Sequence, residues 1–370
     1  MGKKMGRREF LGKTALGALA VTAGVQAGLR KGEAVAQTAA SAKGTGMKKI
    51  CIEEHWRNSE IVGLNLEWAK TKNTPSSVNM KAVPHAGAGL VDFEKIRLPL
   101  MDNLGIGMQV IACSSPGFQG VNDAGVSMAT AKRFNDQQAE IIQKYAGRFA
   151  GWANLPTQDP KAAADELERC VKQLGFKGTM IQGHTNWEYL DEKKFWVIWE
   201  RAEALDVPIY LHVAEPSPEG RKIYEGHSEL MGPVWSWVAE TATHALRIVG
   251  GGVFDAFPKS RLILGHLGET LPFLLDRLDE GYVMAYKPRT LNRKLSEYVR
   301  ENIYVTTSGR YRPEALICAI SAMGADHVLF AADYPYAGMK EAVADVERTP
   351  ISDSDKEKIY HLNAERLLKV

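Results

Sequence analysis

The stretch KKICIEEH at residues 48–55 is a short apolar run that ends in polar, ligand-type side chains. Similar runs recur along the chain and alternate with longer amphipathic stretches, which is the pattern of parallel strands joined by helices. An eightfold alternation favours a closed barrel over an open doubly wound sheet. The predicted fold is therefore α/β, a (β/α)8 TIM barrel in one domain over residues 48–370. The predicted strands are 48–54, 107–112, 149–154, 177–182, 208–212, 261–266, 303–307 and 327–332.

The stretches between these strands carry helix signals, because several begin after Asp or Pro and several end at Gly. One connection differs from the others. Between Trp56 and Val91, clusters of Asn, Pro, Ser and Gly predict a long loop on the face where barrel enzymes carry out their chemistry, so we expect a lid there. The predicted helices are Ala129–Tyr145, Pro160–Leu174, Lys194–Leu205, Gly232–Phe254 and Pro313–Met323.

The N-terminal residues differ in composition from the rest of the chain. RREFL at 7–11 precedes an apolar, Ala/Gly-rich run at 14–27, and AVA at 34–36 is a small-x-small cleavage motif. This order predicts a twin-arginine signal peptide over residues 1–36 and a linker at 37–47, and hence a periplasmic or secreted mature protein. The partner implied by this segment is the twin-arginine export machinery, which carries folded proteins.

Charge, hydropathy and cysteine spacing exclude several classes of protein. Lys and Arg number 46 against 44 Asp and Glu, and no basic block carries interleaved aromatics, so we expect a small-molecule substrate and no nucleic-acid partner. No later segment approaches the ~20 apolar residues of a membrane helix, so we expect no membrane contact for the mature form. The cysteines show no CxxC spacing and are predicted to be buried thiols: Cys51, Cys113, Cys170 and Cys318.

Ligand-type residues end three of the predicted strands, which close with Glu53-Glu54-His55, His212 and Asp333. Because side chains alternate across a strand, Glu53 and His55 face one way, and Glu54 faces the other way, where a structural contact is expected. The C-terminal strand ends of a barrel converge on one mouth. The residues predicted to hold one divalent ion are thus Glu53, His55, His212 and Asp333. Two imidazoles and two carboxylates suit Zn²⁺ or Mn²⁺, with Mg²⁺ as a further candidate.

A second pair of residues follows strand six in the sequence HLGE at 266–269. A carboxylate three residues after a histidine can hold one imidazole nitrogen and raise the basicity of the other, so His266 and Glu269 are predicted to form a catalytic dyad. Strand four ends in IQG at 181–183 with no residue to bridge a second ion, which predicts a mononuclear centre. Structural or packing roles are expected for His85, His184, His227, His244, His327, Trp235 and Trp237.

A series of motifs runs from residue 48 to the C-terminus: EEH at 53–55, LGF at 174–176, LDVPIYLH at 205–212, IYEGH at 223–227, ETATHALR at 240–247, GHLGE at 265–269, TTSG at 306–309, GADHVLF at 324–330, DYPY at 333–336 and NA at 363–364. Together they resemble the amidohydrolase superfamily, in particular its branch of γ-resorcylate and 2,3-dihydroxybenzoate decarboxylases. The resemblance implies the same metal ligands and dyad, a substrate-positioning role for Arg277, and a homo-oligomer, either a dimer or a tetramer. The chain departs from that branch at Tyr336-Ala337, where Phe-Glu is usual.

The resemblance implies a metal-dependent, nonoxidative decarboxylase, a carboxy-lyase, acting on a hydroxylated aromatic acid. In such a reaction Asp333 would deliver a proton to the ring carbon, while His266 stabilises charge and helps to deprotonate the hydroxyl. The alternative on the same barrel is a hydrolase, in which a metal-bound water attacks a lactone, ester or amide with Asp333 as the base. A noncatalytic periplasmic binding protein is less favoured, because binding alone does not require a metal beside an oriented His–Glu pair.

Overall fold

The computed structural model describes residues 46–72, 86–309 and 311–370. The predicted signal peptide, all but the last two residues of the linker, and His85 lie outside these ranges. Residues Gly46–Val370 form one compact unit. Among the described helices, none has the length and apolar character needed to cross a membrane.

Eight parallel strands follow one another in chain order around the fold. Strands β1 to β3 form one sheet and β4 to β8 form another. Bridges between Ala153 and Thr179 and between Glu54 and Tyr334 join the two sheets at both edges, which gives the (β/α)8 barrel. The strands are β1 (Lys49–Trp56), β2 (Ile106–Cys113), β3 (Phe149–Gly151), β4 (Thr179–Ile181), β5 (Ile209–Leu211), β6 (Leu262–Leu264), β7 (Ile303–Thr306) and β8 (Val328–Leu329). All eight predicted strands are present, although β3 to β8 are shorter than predicted.

The helices surround the strands. In chain order they are α1 (Ser59–Lys72), α2 (Ala86–Gly89), α3 (Leu98–Leu104), α4 (Ala124–Lys144), α5 (Pro160–Leu174), α6 (Trp196–Ala204), α7 (Pro218–Arg221), α8 (Ser236–Gly250), α9 (Val253–Ala256), α10 (Leu271–Val283), α11 (Leu295–Asn302), α12 (Pro313–Met323), α13 (Met339–Glu347), α14 (Asp353–Glu357) and α15 (Asn363–Leu368). The predicted helices Pro160–Leu174 and Pro313–Met323 have the predicted bounds. The predicted helix Gly232–Phe254 is wrong at both ends, because Gly232 and Gly252 have φ values of 74° and 77° that an α-helix does not allow.

The predicted long loop between Trp56 and Val91 contains helix α1 in its first half, its residues 73–85 lie outside the described ranges, and its role as a lid stays a prediction. The Asn58 side chain accepts a hydrogen bond from the Ile61 N–H at 3.0 Å, which satisfies a free donor at the helix start. Asn65 then donates to the carbonyl oxygens of Gly117 and Gly120 at 2.7 and 2.8 Å. Helix α1 is therefore anchored to the turn that follows β2.

Two hydrophobic layers hold the barrel together. Side chains such as Ile52, Trp152 and Tyr210 fill the interior, and a larger cluster packs the outer face of the strands against the helices. This arrangement is the packed core of a (β/α)8 barrel. Three cysteines are buried as predicted, but Cys318 is partly exposed, so the prediction is wrong for that thiol. Trp235 is 48% exposed, which contradicts packing in the core, whereas packing against another subunit stays a prediction for that ring.

Candidate metal centre

One atom from each of the four predicted ligands converges at the barrel mouth. The ligand atoms of Glu53, His55, His212 and Asp333 all lie within 4.8 Å of one another. His55 Nε2 is 3.2 Å from Asp333 Oδ1, and His212 Nε2 is 3.3 Å from Glu53 Oε1. These four atoms are buried and make no hydrogen bond among the described residues. Because a buried polar atom without a partner is costly, the cluster fits one cation that contacts all four side chains.

The donor set agrees with a divalent ion. Imidazole nitrogens and carboxylate oxygens are ligands for Zn²⁺ and Mn²⁺ rather than for soft ions such as Cu⁺. Across residues 46–72, 86–309 and 311–370, no other group of three or more potential ligand residues meets in this way. At the end of β4, the Gln182 amide donates to the Cys113 carbonyl oxygen at 2.8 Å instead of contributing a charged ligand. The described residues thus provide for one ion.

A β-bulge in β1 directs the side chain of Glu53 toward this centre. Between two successive pairings, β1 advances by three residues, from Cys51 to Glu54, while its partner β2 advances by only two. The extra residue changes the alternation of side chains, so that Ile52 and Glu53 both face the barrel interior. Without the bulge, the alternation that starts at Ile52 would turn Glu53 outward and Glu54 inward.

Two hydroxyl groups orient the Glu53 carboxylate. Tyr210 and Thr306 both donate to Glu53 Oε2, the latter at 3.1 Å, which leaves Oε1 directed toward His212. Burial acts to raise the pKa of Glu53, but the nearby imidazoles of His266 and His212 outweigh it and hold that pKa below its usual value. The sequence analysis did not identify Tyr210 or Thr306. Tyr210 precedes His212 by two residues on the same strand face, a spacing that could have indicated it.

The structure brings His266 and Glu269 together beside the four ligands. His266 Nδ1 is 2.8 Å from Glu269 Oε1, while His266 Nε2 is 3.7 Å from Asp333 Oδ2 and 3.9 Å from Glu53 Oε1. The backbone N–H of His266 donates to Ser308 Oγ at 2.9 Å. Burial would lower the pKa of His266, but the charges of Glu269 and Glu53 raise it well above its usual value. The second imidazole nitrogen, Nε2, therefore faces the carboxylates of Asp333 and Glu53.

Several residues of this site have backbone conformations that side chains with a Cβ rarely adopt. The φ angles are 55° for His266, 51° for Glu269, 72° for Thr270 and 66° for Asp333. Left-handed conformations at non-glycine residues carry strain and persist only where the surroundings fix them, often at functional sites. The surrounding hydrogen bonds therefore matter to the geometry of the centre.

Glu54 supplies two of these fixing bonds on the outer side of β1. Its Oε1 accepts a hydrogen bond from the Ala332 N–H at 3.0 Å, and its Oε2 accepts one from the Tyr334 N–H at 3.3 Å. These are the amides on either side of Asp333. In addition, the His55 N–H donates to the Tyr334 carbonyl oxygen at 2.8 Å. Glu54 is therefore a positioning residue for Asp333, in agreement with the structural contact expected from the sequence.

We expect Glu54→Gln to reduce turnover by roughly 10-fold to 100-fold, because the amide group can accept from only one of the two backbone N–H groups and leaves the other unpaired. The expected loss lies in kcat more than in KM, since Asp333 would be displaced. Steady-state kinetics with a thermal melt would measure both effects. Glu54→Asp keeps the charge and should recover part of the rate; equal losses in the two variants would contradict a role in positioning.

The remaining predicted residues lie further from the ligands or in structural roles. Arg277 is exposed on α10, and its role in positioning substrate stays a prediction. His184 is buried with Nε2 2.7 Å from the Glu215 carbonyl oxygen, and His244 Nε2 accepts from the Leu190 N–H at 2.9 Å. These two contacts agree with the expected structural roles.

A (β/α)8 barrel that gathers two histidines and two carboxylates at its C-terminal strand ends defines a metal-dependent barrel enzyme. The particular family follows from the sequence profile described as Amidohydrolase, which matches residues 81–370. This chain belongs to the amidohydrolase family.

Several relatives of this chain are decarboxylases. A γ-resorcylate decarboxylase of Polaromonas sp. (strain JS666) is 39% identical over 330 residues, which are 87% of this chain and 98% of the relative. A solved structure of a dihydroxybenzoic acid decarboxylase from Polaromonas sp. JS666, with bound manganese and the inhibitor 2-nitroresorcinol, is 40% identical with a TM-score of 0.80 over 87% of this chain and 97% of that chain. The structure of 5-carboxyvanillate decarboxylase from Novosphingobium aromaticivorans, with manganese and 4-hydroxy-3-methoxy-5-nitrobenzoic acid, is 30% identical with a TM-score of 0.83 over 88% of this chain and 97% of that chain.

Proposed function

We propose that this protein is a metal-dependent, nonoxidative decarboxylase of a hydroxylated aromatic carboxylic acid. The observation that carries the proposal is the set of four buried ligand atoms within 4.8 Å of one another, with the His266–Glu269 pair beside them. The relatives named as γ-resorcylate and 5-carboxyvanillate decarboxylases support the same reaction. Manganese is the first ion to test, because it is bound in the two solved structures named above.

The residues of the site have distinct parts in this reaction. A divalent ion held by Glu53, His55, His212 and Asp333 would supply Lewis-acid charge that favours the ionised form of a hydroxyl ortho to the carboxylate. His266, with Nδ1 fixed by Glu269 and a pKa raised above its usual value, carries a proton at Nε2; it passes that proton to Asp333 Oδ2, 3.7 Å away, and is reprotonated by the substrate hydroxyl. Asp333 then delivers a proton to the ring carbon that bears the carboxylate. The bond to the carboxylate breaks, its electron pair returns to the ring, and CO₂ leaves.

One experiment separates this reaction from the hydrolysis of a lactone, ester or amide on the same barrel. The manganese-loaded protein is incubated with a panel of hydroxybenzoates labelled with ¹³C at the carboxylate and, separately, with lactones. We expect ¹³CO₂ and the corresponding phenol in NMR spectra, with no opening of the lactones. Lactone opening without release of CO₂ would reject the decarboxylase in favour of the hydrolase.

We propose that residues 1–36 direct export through the twin-arginine machinery and that the mature protein is periplasmic or secreted. The RREFL sequence at 7–11 supports this proposal. Replacing both arginines, Arg7→Lys with Arg8→Lys, should retain the protein in the cytoplasm, because that pair is the feature that the export machinery reads. Fractionation of cells with an activity or antibody readout measures the effect. Export of the double variant at the rate of the unchanged protein would contradict the assignment.

We also propose that the protein is a homo-oligomer, with a second copy of this chain covering the exposed apolar side chains at the two ends of α10. Each of these side chains is at least 79% exposed: Phe273, Val283, Met284 and Tyr286. Large exposed apolar groups that cluster on one element commonly mark subunit contacts. Light scattering of the purified protein gives the oligomer size directly.

We also propose that Arg277, which lies on α10, helps to position the substrate.

A further inference from the structure

Tyr311 follows β7 on the face of the barrel that carries the metal centre. The strand ends at Thr306, and the chain then turns through Gly309, whose φ of 81° is in the left-handed region. Tyr311 is half-buried, and its ring packs against the hydrophobic core. Its carbonyl oxygen accepts a hydrogen bond from Arg348 Nη2 at 3.2 Å, directly after the end of α13. The position of the ring is therefore fixed by packing and by a backbone contact.

The Tyr311 hydroxyl and the His266 imidazole border the same space next to Gly309. If Gly309 carried a side chain, its first carbon would lie 3.1 Å from His266 Cδ2, 3.3 Å from Tyr311 Cε2 and 3.8 Å from the Tyr311 hydroxyl oxygen. The His266 N–H donates to Ser308 Oγ at 2.9 Å, which joins the ends of β6 and β7 at this point. Carbon Cδ2 is bonded to Nε2, the imidazole nitrogen that faces Asp333. The Tyr311 hydroxyl is therefore beside the edge of His266 that carries the proton.

The Tyr311 hydroxyl is a hydrogen-bond donor that stays protonated at neutral pH. Burial raises its pKa above the usual value; the charge of His266 acts against this increase, and the charge of Glu269 adds to it. Within the described ranges the Tyr311 hydroxyl has no hydrogen-bond partner, whereas the hydroxyl of Tyr210 already donates to Glu53. A tyrosine whose ring is packed in the protein and whose hydroxyl is not used there can donate to a ligand.

We propose that Tyr311 is a further catalytic residue, whose hydroxyl donates a hydrogen bond to the substrate oxygen that gives its proton to His266. As this oxygen becomes a phenolate the hydrogen bond strengthens, because bonds to a charged acceptor are about twice as strong as bonds between neutral groups. A fixed donor next to the charge that develops lowers the barrier to ionisation. Tyr311 keeps its own proton throughout, so the proton balance of the reaction is unchanged. This inference rests on the proposed decarboxylase function and identifies a residue that favours ionisation of the substrate.

Binding of 2-nitroresorcinol tests this hydrogen bond without turnover. The compound is the inhibitor in the solved structure from Polaromonas sp. JS666, and its two hydroxyl groups flank a nitro group instead of a carboxylate. Calorimetric titration of the manganese-loaded full chain should show that Tyr311→Phe weakens binding by about 10-fold, as expected for the loss of a hydrogen bond to a charged oxygen. Metal content should stay that of the unchanged protein, since Tyr311 is none of the four ligands. Tyr304→Phe is the matched control, because it makes the same change near the start of β7, where the ring stacks on His327.

The pH dependence of turnover separates this catalytic role from a purely structural one. Without the hydroxyl the bound substrate ionises less readily, so in Tyr311→Phe the acidic limb of the kcat profile should move up by about one pH unit. On that limb we expect kcat to fall about 10-fold, and at higher pH we expect it to recover. Unchanged affinity for 2-nitroresorcinol, or a loss of kcat that is equal at every pH, would overturn the role of Tyr311 while leaving decarboxylation intact. If no acid of the hydroxybenzoate panel loses CO₂, the proposed function fails, and the calorimetric comparison alone then decides whether Tyr311 contacts the ligand.

Discussion

Asp333→Asn is expected to lower the release of CO₂ by about 10³-fold or more. The amide keeps the shape of the side chain and can still place one oxygen where Oδ1 meets His55 Nε2, 3.2 Å away. It has no carboxyl oxygen that could exchange a proton with His266, which lies 3.7 Å from Oδ2. Positioned acid–base groups contribute roughly 10²-fold to 10⁴-fold to rates, and this variant also removes a charge next to the metal. Stopped assays of CO₂ with metal analysis of the same sample measure both effects.

Asp326→Asn is the matched control for that variant. Asp326 precedes β8, at the opposite end of the strand from Asp333, and pairs with Lys358 at 3.0 Å on the surface. Its replacement should change stability by less than about 1 kcal/mol and leave turnover near that of the unchanged protein. Near-normal CO₂ release by Asp333→Asn would reject Asp333 as the proton donor.

Removal of the metal is expected to abolish turnover and to lower thermal stability together. The four ligand atoms have no other hydrogen-bond partner among the described residues. When the ion leaves, these buried polar atoms therefore have no partner that offsets the loss of their contact with water. An ion present at about 100 times its dissociation constant stabilises the folded state by about 2.7 kcal/mol. For a domain of this size that free energy corresponds to a rise in Tm of roughly 4 °C. Calorimetry before chelation, after chelation and after addition of Mn²⁺ measures this change.

Glu53→Gln should reproduce the effect of chelation without a chelator. The amide can still accept a hydrogen bond from Tyr210 or Thr306, but it removes the negative charge that faces His212. After dialysis we expect the variant to keep less than about one tenth of the metal content of the unchanged protein. Replacing a residue that only supports a ligand already lowers metal affinity by about 10-fold to 100-fold, and replacing the ligand itself should lower it further. Glu67→Gln, an exposed change on α1, is the control. Full metal content in Glu53→Gln would contradict the assigned ligand set.

Glu54 illustrates how far the sequence could predict this site. The alternation rule correctly separates Glu54 from its neighbours Glu53 and His55, because that rule is local and holds over three residues. The same rule applied from Ile52 would place Glu53 on the wrong side. The bulge that corrects the direction depends on the pairing of β1 with β2, which no local pattern of β1 shows. Its position is therefore visible only when both strands are seen together.

The order of apolar runs, amphipathic stretches and strand-end polar residues was sufficient to predict the barrel, the four side chains that meet at its mouth and the His266–Glu269 contact. Each of these depends on periodicity and on the convergence of parallel strand ends. The tertiary structure alone decided that α1 is folded against the turn after β2, that Tyr210 and Thr306 orient Glu53, and that Glu54 fixes the amides on both sides of Asp333. These contacts join segments 52 to 280 residues apart. A hydrogen bond depends on distance and angle in space, and separation along the chain carries no information about either.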